Sequence, residues 1–260
     1  MSTSYVNGMA VEIEGQGPAL LCIHGLGGSS NTWTPVMSAF EGFRVIRPDL
    51  PGSARSPLAA EALSIESYVG ALAGLLAALE IDALHIAAHS LGTIVAQHLA
   101  VAHPARVRSL ALFGPLAAPP ESGRAGIRAR AELARGGDAA MQEIADAIVK
   151  GATSAQTKQD RPAVLALVRE SVMRQQPEGY AQSCEALAGA QAAAVEALDV
   201  PALLVTGDQD GVAPAANVEA LAGRIAGSRH LVFGGCGHWT TYEQPQACVQ
   251  ALREFYSAMR

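Results

Sequence analysis

Short apolar runs alternate with helical patterns along the first 116 residues of the chain. Runs typical of buried strands occur at Leu20–Ile23, Arg44–Ile46, Leu84–Ala88 and Val107–Phe113. Between the second and third runs, apolar residues recur at helical spacing from Ile65 to Leu79, with Ser64 in the position of an N-cap. The residues between Ser90 and His103 also predict a helix, which Pro104 ends. This alternation predicts a mostly parallel sheet flanked by helices on both faces.

The pattern changes between residues 117 and 198, which are rich in Ala, Gln and Arg and contain no strand-like run. Their apolar residues follow helical spacing and are interrupted at Gly136-Gly137, Pro162 and Pro177. The alternation resumes with strands at Ala202–Thr206 and His230–Phe233 and helices at Ala215–Ala226 and Pro245–Met259. We therefore expect an α/β core made of residues 1–116 and 199–260, with residues 117–198 inserted as a helical cap.

Length and charge limit the partners that we expect. The 260 residues, half of them apolar, suffice for one α/β domain with a large core. With 24 acidic and 18 basic residues the net charge is −6, and no Lys/Arg run occurs, so we expect no nucleic-acid partner. The first 15 residues lack the pattern of a secretory signal, and no apolar run reaches the roughly 20 residues that span a bilayer. We expect a cytoplasmic protein with no membrane partner, and leave its oligomeric state open.

The four cysteines predict neither disulfides nor a metal site. Cys22, Cys184, Cys236 and Cys248 are scattered, form no CxxC pair and have no histidine at metal-ligand spacing. We interpret all four as small core residues, including Cys236, although it lies two positions before His238.

The segment Ala88-His89-Ser90-Leu91-Gly92 places a serine between a buried strand and a helix. A nucleophilic serine on such a turn projects its hydroxyl from the carboxyl edge of the sheet, and small neighbours let the strand and the helix approach each other. Here Ala88 stands where the pattern G-x-S-x-G has its first glycine. The simpler alternative is a serine that only caps the helix.

A glycine-rich loop, His24-Gly25-Leu26-Gly27-Gly28, follows the first core strand. Acyl transfer needs preorganised donors for a tetrahedral oxyanion, and main-chain N–H groups serve this purpose well. The candidates are the N–H groups of Leu26 and Leu91, one from each loop. The alternative is a plain glycine turn that leads into a helix near Trp33.

An acid and a histidine follow two later strands. Gly207-Asp208-Gln209-Asp210 comes after Ala202–Thr206, and Gly237-His238 comes after His230–Phe233. Alone, such an aspartate is usually a local cap and such a histidine a structural residue. The chain order serine, aspartate, histidine at three strand ends instead predicts Ser90 as nucleophile, His238 as its base and Asp210 as the group that orients the base. Asp210 is favoured over Asp208 because it lies further past the strand end.

With these motifs in place, the sequence resembles the α/β-hydrolase superfamily over nearly its whole length, and most closely the branch of 3-oxoadipate enol-lactonases and small carboxylesterases. The resemblance is carried by residues 24–29, 47–53, 88–92, 207–210 and 237–238. It implies that Asp210 is the triad acid and Asp208 a loop residue. The chain departs from the family at Leu50-Pro51-Gly52, where Gly-His-Gly is usual, in a loop that borders the pocket.

The expected function is hydrolysis of a small-molecule carboxylic ester or lactone through an acyl-enzyme on Ser90, with no metal and no organic cofactor. A serine at the elbow argues against dehalogenase or epoxide hydrolase chemistry, which needs a carboxylate nucleophile. The same triad also serves C-C bond hydrolases, amidases or lactamases and cofactor-free perhydrolases. A ligand receptor that keeps the triad with little turnover is the alternative from another class.

Four arginines of the expected cap offer two interpretations. Arg124, Arg128, Arg130 and Arg135 either meet a carboxylate of the substrate or are solvated charges on a helix face. Tyr180 is the only aromatic residue between Ala117 and Leu198, so the pocket is expected to be shaped by aliphatic and arginine side chains.

Overall fold

The computed structural model describes residues 3–58, 60–257 and 259, and within these ranges the chain forms one eight-stranded sheet. Its strands are β1 (Thr3–Val6), β2 (Met9–Glu14), β3 (Ala19–Ile23), β4 (Arg44–Pro48), β5 (Leu84–His89), β6 (Val107–Phe113), β7 (Ala202–Gly207) and β8 (Arg229–Phe233). The order across the sheet is β1-β2-β4-β3-β5-β6-β7-β8. From β4 to β8 the neighbours are parallel, as predicted, whereas β1 and β2 form an antiparallel hairpin that the strand predictions did not include.

Most helices of the described residues fall in the stretches with helical spacing, whereas the short helix at Thr240–Glu243 was not predicted. They are α1 (Ile65–Ala78), α2 (Leu91–Ala102), α3 (Glu121–Ala134), α4 (Asp138–Ala152), α5 (Ala155–Asp160), α6 (Pro162–Met173), α7 (Pro177–Gly189), α8 (Ala215–Ala222), α9 (Thr240–Glu243) and α10 (Pro245–Ser257), with 3-10 helices at Ser30–Phe40 and Val195–Ala197. Ser64 caps α1, since its Oγ accepts from the Ser67 N–H at 3.0 Å. The prediction that α8 extends to Ala226 is wrong, because Gly223 forms its C-cap. The last helix was predicted to reach Met259, but Met259 lies in a turn outside α10, and residue 258 is outside the described residues.

Apolar side chains cover both faces of the sheet. One face packs against α1, α2 and α8, through buried residues such as Leu72, Leu99 and Val218. The other face packs against the long 3-10 helix and α10, through residues such as Trp33 and Leu252. No helix in the described part of the chain is long and apolar enough to cross a bilayer.

Residues 117–198, all of them described, hold five α-helices and no strand. We call this segment the helical insertion. It has its own apolar cluster, which includes Met141, Ile144 and Val172. Trp239 and Tyr242, which follow β8, belong to the same cluster. The insertion therefore rests on the carboxyl edge of the sheet, on the side where β8 ends.

The strand register aligns the predicted site loops. Ile23 pairs with Ala88, His89 with Phe113, and Gly207 with Phe233. These pairs put the carboxyl ends of β3, β5, β6, β7 and β8 at one edge, so the segments that follow them must meet there.

Candidate active site

Ser90 occupies the turn between β5 and α2. Its backbone angles are φ 52° and ψ −123°, in the left-handed region that a residue with a side chain rarely adopts. Its N–H donates to the Phe113 carbonyl at 3.0 Å, which ties the turn to the neighbouring strand. The hydroxyl does not cap α2, so the alternative of a capping serine does not describe this residue.

Three predicted side chains form one hydrogen-bonded sequence. His238 Nδ1 donates to Asp210 Oδ2 at 2.8 Å, and the Ser90 hydroxyl lies 2.8 Å from His238 Nε2. Because the carboxylate can only accept, the neutral imidazole carries its proton on Nδ1, and Nε2 is free to accept from the serine. All three residues are buried, with 7%, 6% and 4% of Ser90, His238 and Asp210 exposed. This arrangement can remove a proton from the serine and pass it on.

Asp210 is held in its charged form. Its Oδ1 accepts from the N–H groups of Val212 and Ala213. The Thr206 hydroxyl donates to the Ala213 carbonyl at 2.7 Å and lies 3.2 Å from Asp210 Oδ2. Burial alone would raise its pKa, but the electrostatic interaction and hydrogen bond with His238 and the two main-chain donors lower that pKa to about 2. Asp208 is exposed and accepts instead from the Cys236 N–H at 3.1 Å. Asp210, rather than Asp208, contacts the imidazole.

The loop that carries His238 is fixed by a buried glutamate that the sequence analysis missed. Glu243 accepts from the N–H groups of Gly237, at 3.1 Å, and Trp239, at 3.2 Å, on both sides of His238. It also accepts from Ser154 of the helical insertion at 2.8 Å. One carboxylate thus ties the histidine loop to the insertion.

The glycine-rich loop lies directly against the serine. A Cβ at Gly25 would lie 2.7 Å from Ser90 Cβ, so only glycine permits this approach. Leu50 donates its N–H to His24 Nε2 at 2.9 Å, which means that His24 carries its proton on Nδ1 and donates it to the Gly25 carbonyl at 2.8 Å. Burial lowers the pKa of His24 and keeps this neutral tautomer.

The direction of the Leu26 N–H follows from these bonds. The Gly25 carbonyl also accepts from the Gly28 N–H at 3.0 Å, so it points into the turn. In a trans peptide the next N–H points the opposite way, and the Leu26 N–H therefore faces out of the turn. Leu91 is the first residue of α2, and the geometry of a helix leaves its N–H without an intrahelical acceptor. Both groups are suited to bind an oxyanion beside Ser90.

The helical insertion packs closely against two loops beside Ser90. Leu26 packs against both the main core and the insertion cluster, as does Ile127 of α3. In the segment that departs from the family pattern, the Gly52 backbone lies against Gly179 of α7, where a Cβ would come within 2.1 Å of the Gly52 oxygen. Only 7% of Ser90 and 6% of His238 are exposed beneath these contacts.

Two of the four arginines of the helical insertion form hydrogen bonds or ion pairs within the chain. Arg124 donates to the main-chain oxygens of Ala188 and Ala190, and Arg135 pairs with Glu132, Glu178 and Glu185. Arg128 is exposed. Arg130 lies beside the buried Tyr180, whose pKa rises through burial while the nearby guanidinium opposes that rise.

The described residues contain no group of three or more His, Cys, Asp or Glu side chains placed to hold a metal ion. Cys22, Cys184, Cys236 and Cys248 are free and buried, and burial raises the pKa of each thiol. The thiols of Cys236 and Cys248 donate to main-chain oxygens at 3.4 Å. All four cysteines fill the core, as the sequence predicts.

Several proteins with similar sequences or structures are named as hydrolases. The sequence profile of a family described as alpha/beta hydrolase fold matches residues 18–245. A thermophilic esterase from Thermogutta terrifontis has 26% identity and a TM-score of 0.91, with 99% of each chain covered. The enol-lactonase from Burkholderia xenovorans LB400 has 28% identity and a TM-score of 0.88, over 98% of this chain and 100% of that one. The 2-hydroxymuconate semialdehyde hydrolase of Pseudomonas sp. (strain CF600) is 29% identical over 93% of this chain and 87% of its own length.

Proposed function

Since this chain belongs to the alpha/beta hydrolase fold family, we propose that it is a serine hydrolase that cleaves a small-molecule carboxylic ester or lactone through an acyl-enzyme on Ser90. The observation that carries the proposal is the buried sequence of hydrogen bonds from Asp210 through His238 to Ser90. Solved structures called an esterase and an enol-lactonase share the fold over nearly the whole chain and support the choice of substrate class.

In the proposed reaction, Ser90 Oγ attacks the carbonyl carbon while its proton moves to His238 Nε2. The carbonyl oxygen becomes an oxyanion that the N–H groups of Leu26 and Leu91 stabilise. The imidazolium that forms is stabilised by Asp210, whose lowered pKa keeps it ionised. His238 then protonates the leaving oxygen, and the C–O bond breaks to leave an acyl group on Ser90.

Release of the acyl group uses the same residues. His238 takes a proton from water, the resulting hydroxide attacks the acyl carbon, and the serine leaves with the proton that His238 returns. Ester cleavage frees an alcohol in the first half and an acid in the second, whereas a lactone yields one hydroxy acid. In this proposal residues 117–198 act as a cap that excludes bulk water during both steps.

Hydrolysis of a C-C bond is the second candidate. The relative named 2-hydroxymuconate semialdehyde hydrolase has a sequence similar to this chain over nearly its whole length. Hydrolysis of that bond and of an ester can start from the same serine and histidine, so the two activities differ in the substrate that the cap admits.

A substrate panel tests the proposal. The kcat/KM of the parent and of Ser90→Ala is measured on p-nitrophenyl esters of graded acyl length, on lactones of several ring sizes and on 2-hydroxymuconate semialdehyde. Turnover of esters or lactones that falls by several orders of magnitude in Ser90→Ala supports the proposal. Turnover of the semialdehyde alone supports the second candidate, and activity that survives Ser90→Ala overturns the assignment of the nucleophile.

A further inference from the structure

The end of α6 contacts the loop that contains Leu26. Ser171 donates its hydroxyl to the Gly27 carbonyl at 2.8 Å. Gln175, two residues after the end of α6, shares one side-chain N–H between the carbonyls of Gly28, at 3.1 Å, and Gly27, at 3.3 Å. Only 6% of Ser171 and 4% of Gln175 are exposed, so these bonds do not compete with bulk water.

Both polar atoms of the Gln175 side-chain amide form hydrogen bonds. The second N–H of Nε2 donates to the Ser171 carbonyl at 2.7 Å, and Oε1 accepts from the Ala54 N–H at 3.0 Å. Ala54 has a positive φ of 48°, so that bond stabilises a strained position in the loop after β4. One side chain of the insertion thereby holds two core loops at the edge of the site.

The packing leaves this part of the loop little freedom. Gly27 has φ 73°, and a Cβ there would lie 3.0 Å from the Val172 side chain of α6. The Gly27–Gly28 peptide is therefore held by α6 on one side, while the Gly28 N–H bonds to the Gly25 carbonyl on the other. The Gly25 carbonyl and the Leu26 N–H belong to the same peptide. A movement of the Gly27–Gly28 peptide is therefore transmitted to the Leu26 N–H through two peptide planes.

We propose that Gln175, assisted by Ser171, is a positioning residue that couples the seating of the helical insertion on the core to the orientation of the Leu26 N–H. This inference rests on the proposed function, because it assigns the Leu26 N–H to an oxyanion. When the insertion lifts to admit a substrate, the three bonds to Gly27 and Gly28 are lost. They form again on closure, so the oxyanion hole is complete only over a bound substrate.

The test compares Gln175→Met and Ser171→Ala with the parent and with a control, Gln182→Met. Gln182 also ties the insertion to the core, since it accepts from the Leu63 N–H at 3.3 Å, but its bonds do not reach the Gly27 carbonyl. Three quantities are measured for each protein: kcat and KM on the best ester, Ki for a trifluoromethyl ketone of matched acyl length, and the melting temperature. The ketone adds to Ser90 as an oxyanion and so reports on the hole directly.

We expect Gln175→Met to lower kcat and raise the ketone Ki, each by about tenfold to a hundredfold, while KM changes by less than about threefold. Ser171→Ala should show the same pattern to a smaller degree, and Gln182→Met should leave kcat and Ki at the parent values. If kcat and Ki stay at the parent values in both variants, or if KM and melting temperature alone change, the inference is wrong while the proposed function stands. A parent that hydrolyses no ester or lactone overturns the proposed function, and this inference with it.

Discussion

His89 donates its Nε2 hydrogen to the main-chain oxygen of His238 at 2.8 Å. The residue before the serine thus holds the backbone of the residue that accepts the serine proton. The ring is fully buried, and burial together with the nearby His238 lowers the pKa of His89 to about 3, so it stays neutral. The centres of the His89 and Trp239 rings lie 5.6 Å apart, and this packing helps to fix the orientation of the His89 imidazole.

The first prediction concerns this contact. His89→Ala removes the donor and leaves a cavity next to His238, so we expect kcat to fall by about tenfold to a hundredfold through misplacement of the base. His89→Gln keeps a side-chain N–H near the same position and should retain most of the activity. Both are measured on one ester below the melting temperature of each variant. Equal losses in the two variants would mean that the hydrogen bond to His238 is unimportant.

The second prediction is that the free energy of unfolding decreases as the pH falls, because buried histidines stay neutral in the folded protein. Unfolded histidine binds a proton near its ordinary pKa of about 6.5, whereas folded His89 stays neutral down to about 3. Between these values the unfolded state holds more protons, so the free energy of unfolding falls as the pH falls, by up to about 1.4 kcal/mol per pH unit for each such group. His24, whose pKa burial also lowers, adds to the slope.

Urea unfolding at pH 7.5, 6.5, 5.5 and 4.5 measures this slope. His89→Gln cannot take up the proton, so its free energy of unfolding should depend less steeply on pH over that range. Protonation of Asp210, whose pKa is lowered to about 2, reduces the free energy of unfolding mainly below about pH 4. It therefore does not affect the comparison over this pH range. Parallel pH curves for the parent and His89→Gln would contradict the assignment of the proton uptake to His89.

The parallel part of the sheet could be predicted because strand-like and helical patterns alternate along the chain. The family resemblance and the mostly parallel sheet are confirmed by the family match and by the strand order. The β1–β2 hairpin was missed although its turn carries a signal: Asn7-Gly8, with φ 48° and 79°, joins strands paired at Val6 and Met9. An Asn-Gly pair between short strands is typical of a two-residue hairpin.

Of the residues in the candidate site, only those that follow a strand could be predicted from the sequence. Ser90, Asp210 and His238 each follow a strand, so chain order and sheet topology bring them to one edge. Glu243 and Gln175 have no such signal, because a glutamate on a short helix and a glutamine just after a helix usually face water. Their roles depend on contacts with residues far away in sequence, such as the bond between Ser171 and Gly27, 144 positions apart. No local pattern encodes such contacts.

The third prediction concerns Gly114, which directly follows β6. It has φ 55°, and a Cβ there would lie 2.8 Å from His238 Cε1 and 2.9 Å from Nδ1. Gly114→Ala should therefore displace the imidazole and lower kcat by about tenfold to a hundredfold, with a reduced melting temperature. Gly234→Ala is the control, since Gly234 follows β8 at the same edge and has open space around it. A Gly114→Ala enzyme with parental kcat would show that the histidine tolerates this displacement.

The last prediction distinguishes the two aspartates of the loop after β7. Asp210→Asn keeps the shape of the side chain but removes the charge that stabilises the imidazolium, and its amide can present a donor to Nδ1 and so favour the wrong tautomer. We expect kcat to fall by about 10²- to 10⁴-fold. Asp208→Asn should cost less than about tenfold, because Asn Oδ1 can still accept from the Cys236 N–H that Asp208 binds. Both variants are compared with the parent on one ester, together with their melting temperatures. Since the carboxylate of Asp210 makes its contact with His238 at 2.8 Å while that of Asp208 is turned to solvent, a larger loss in Asp208→Asn would mean that the acid has been assigned to the wrong residue.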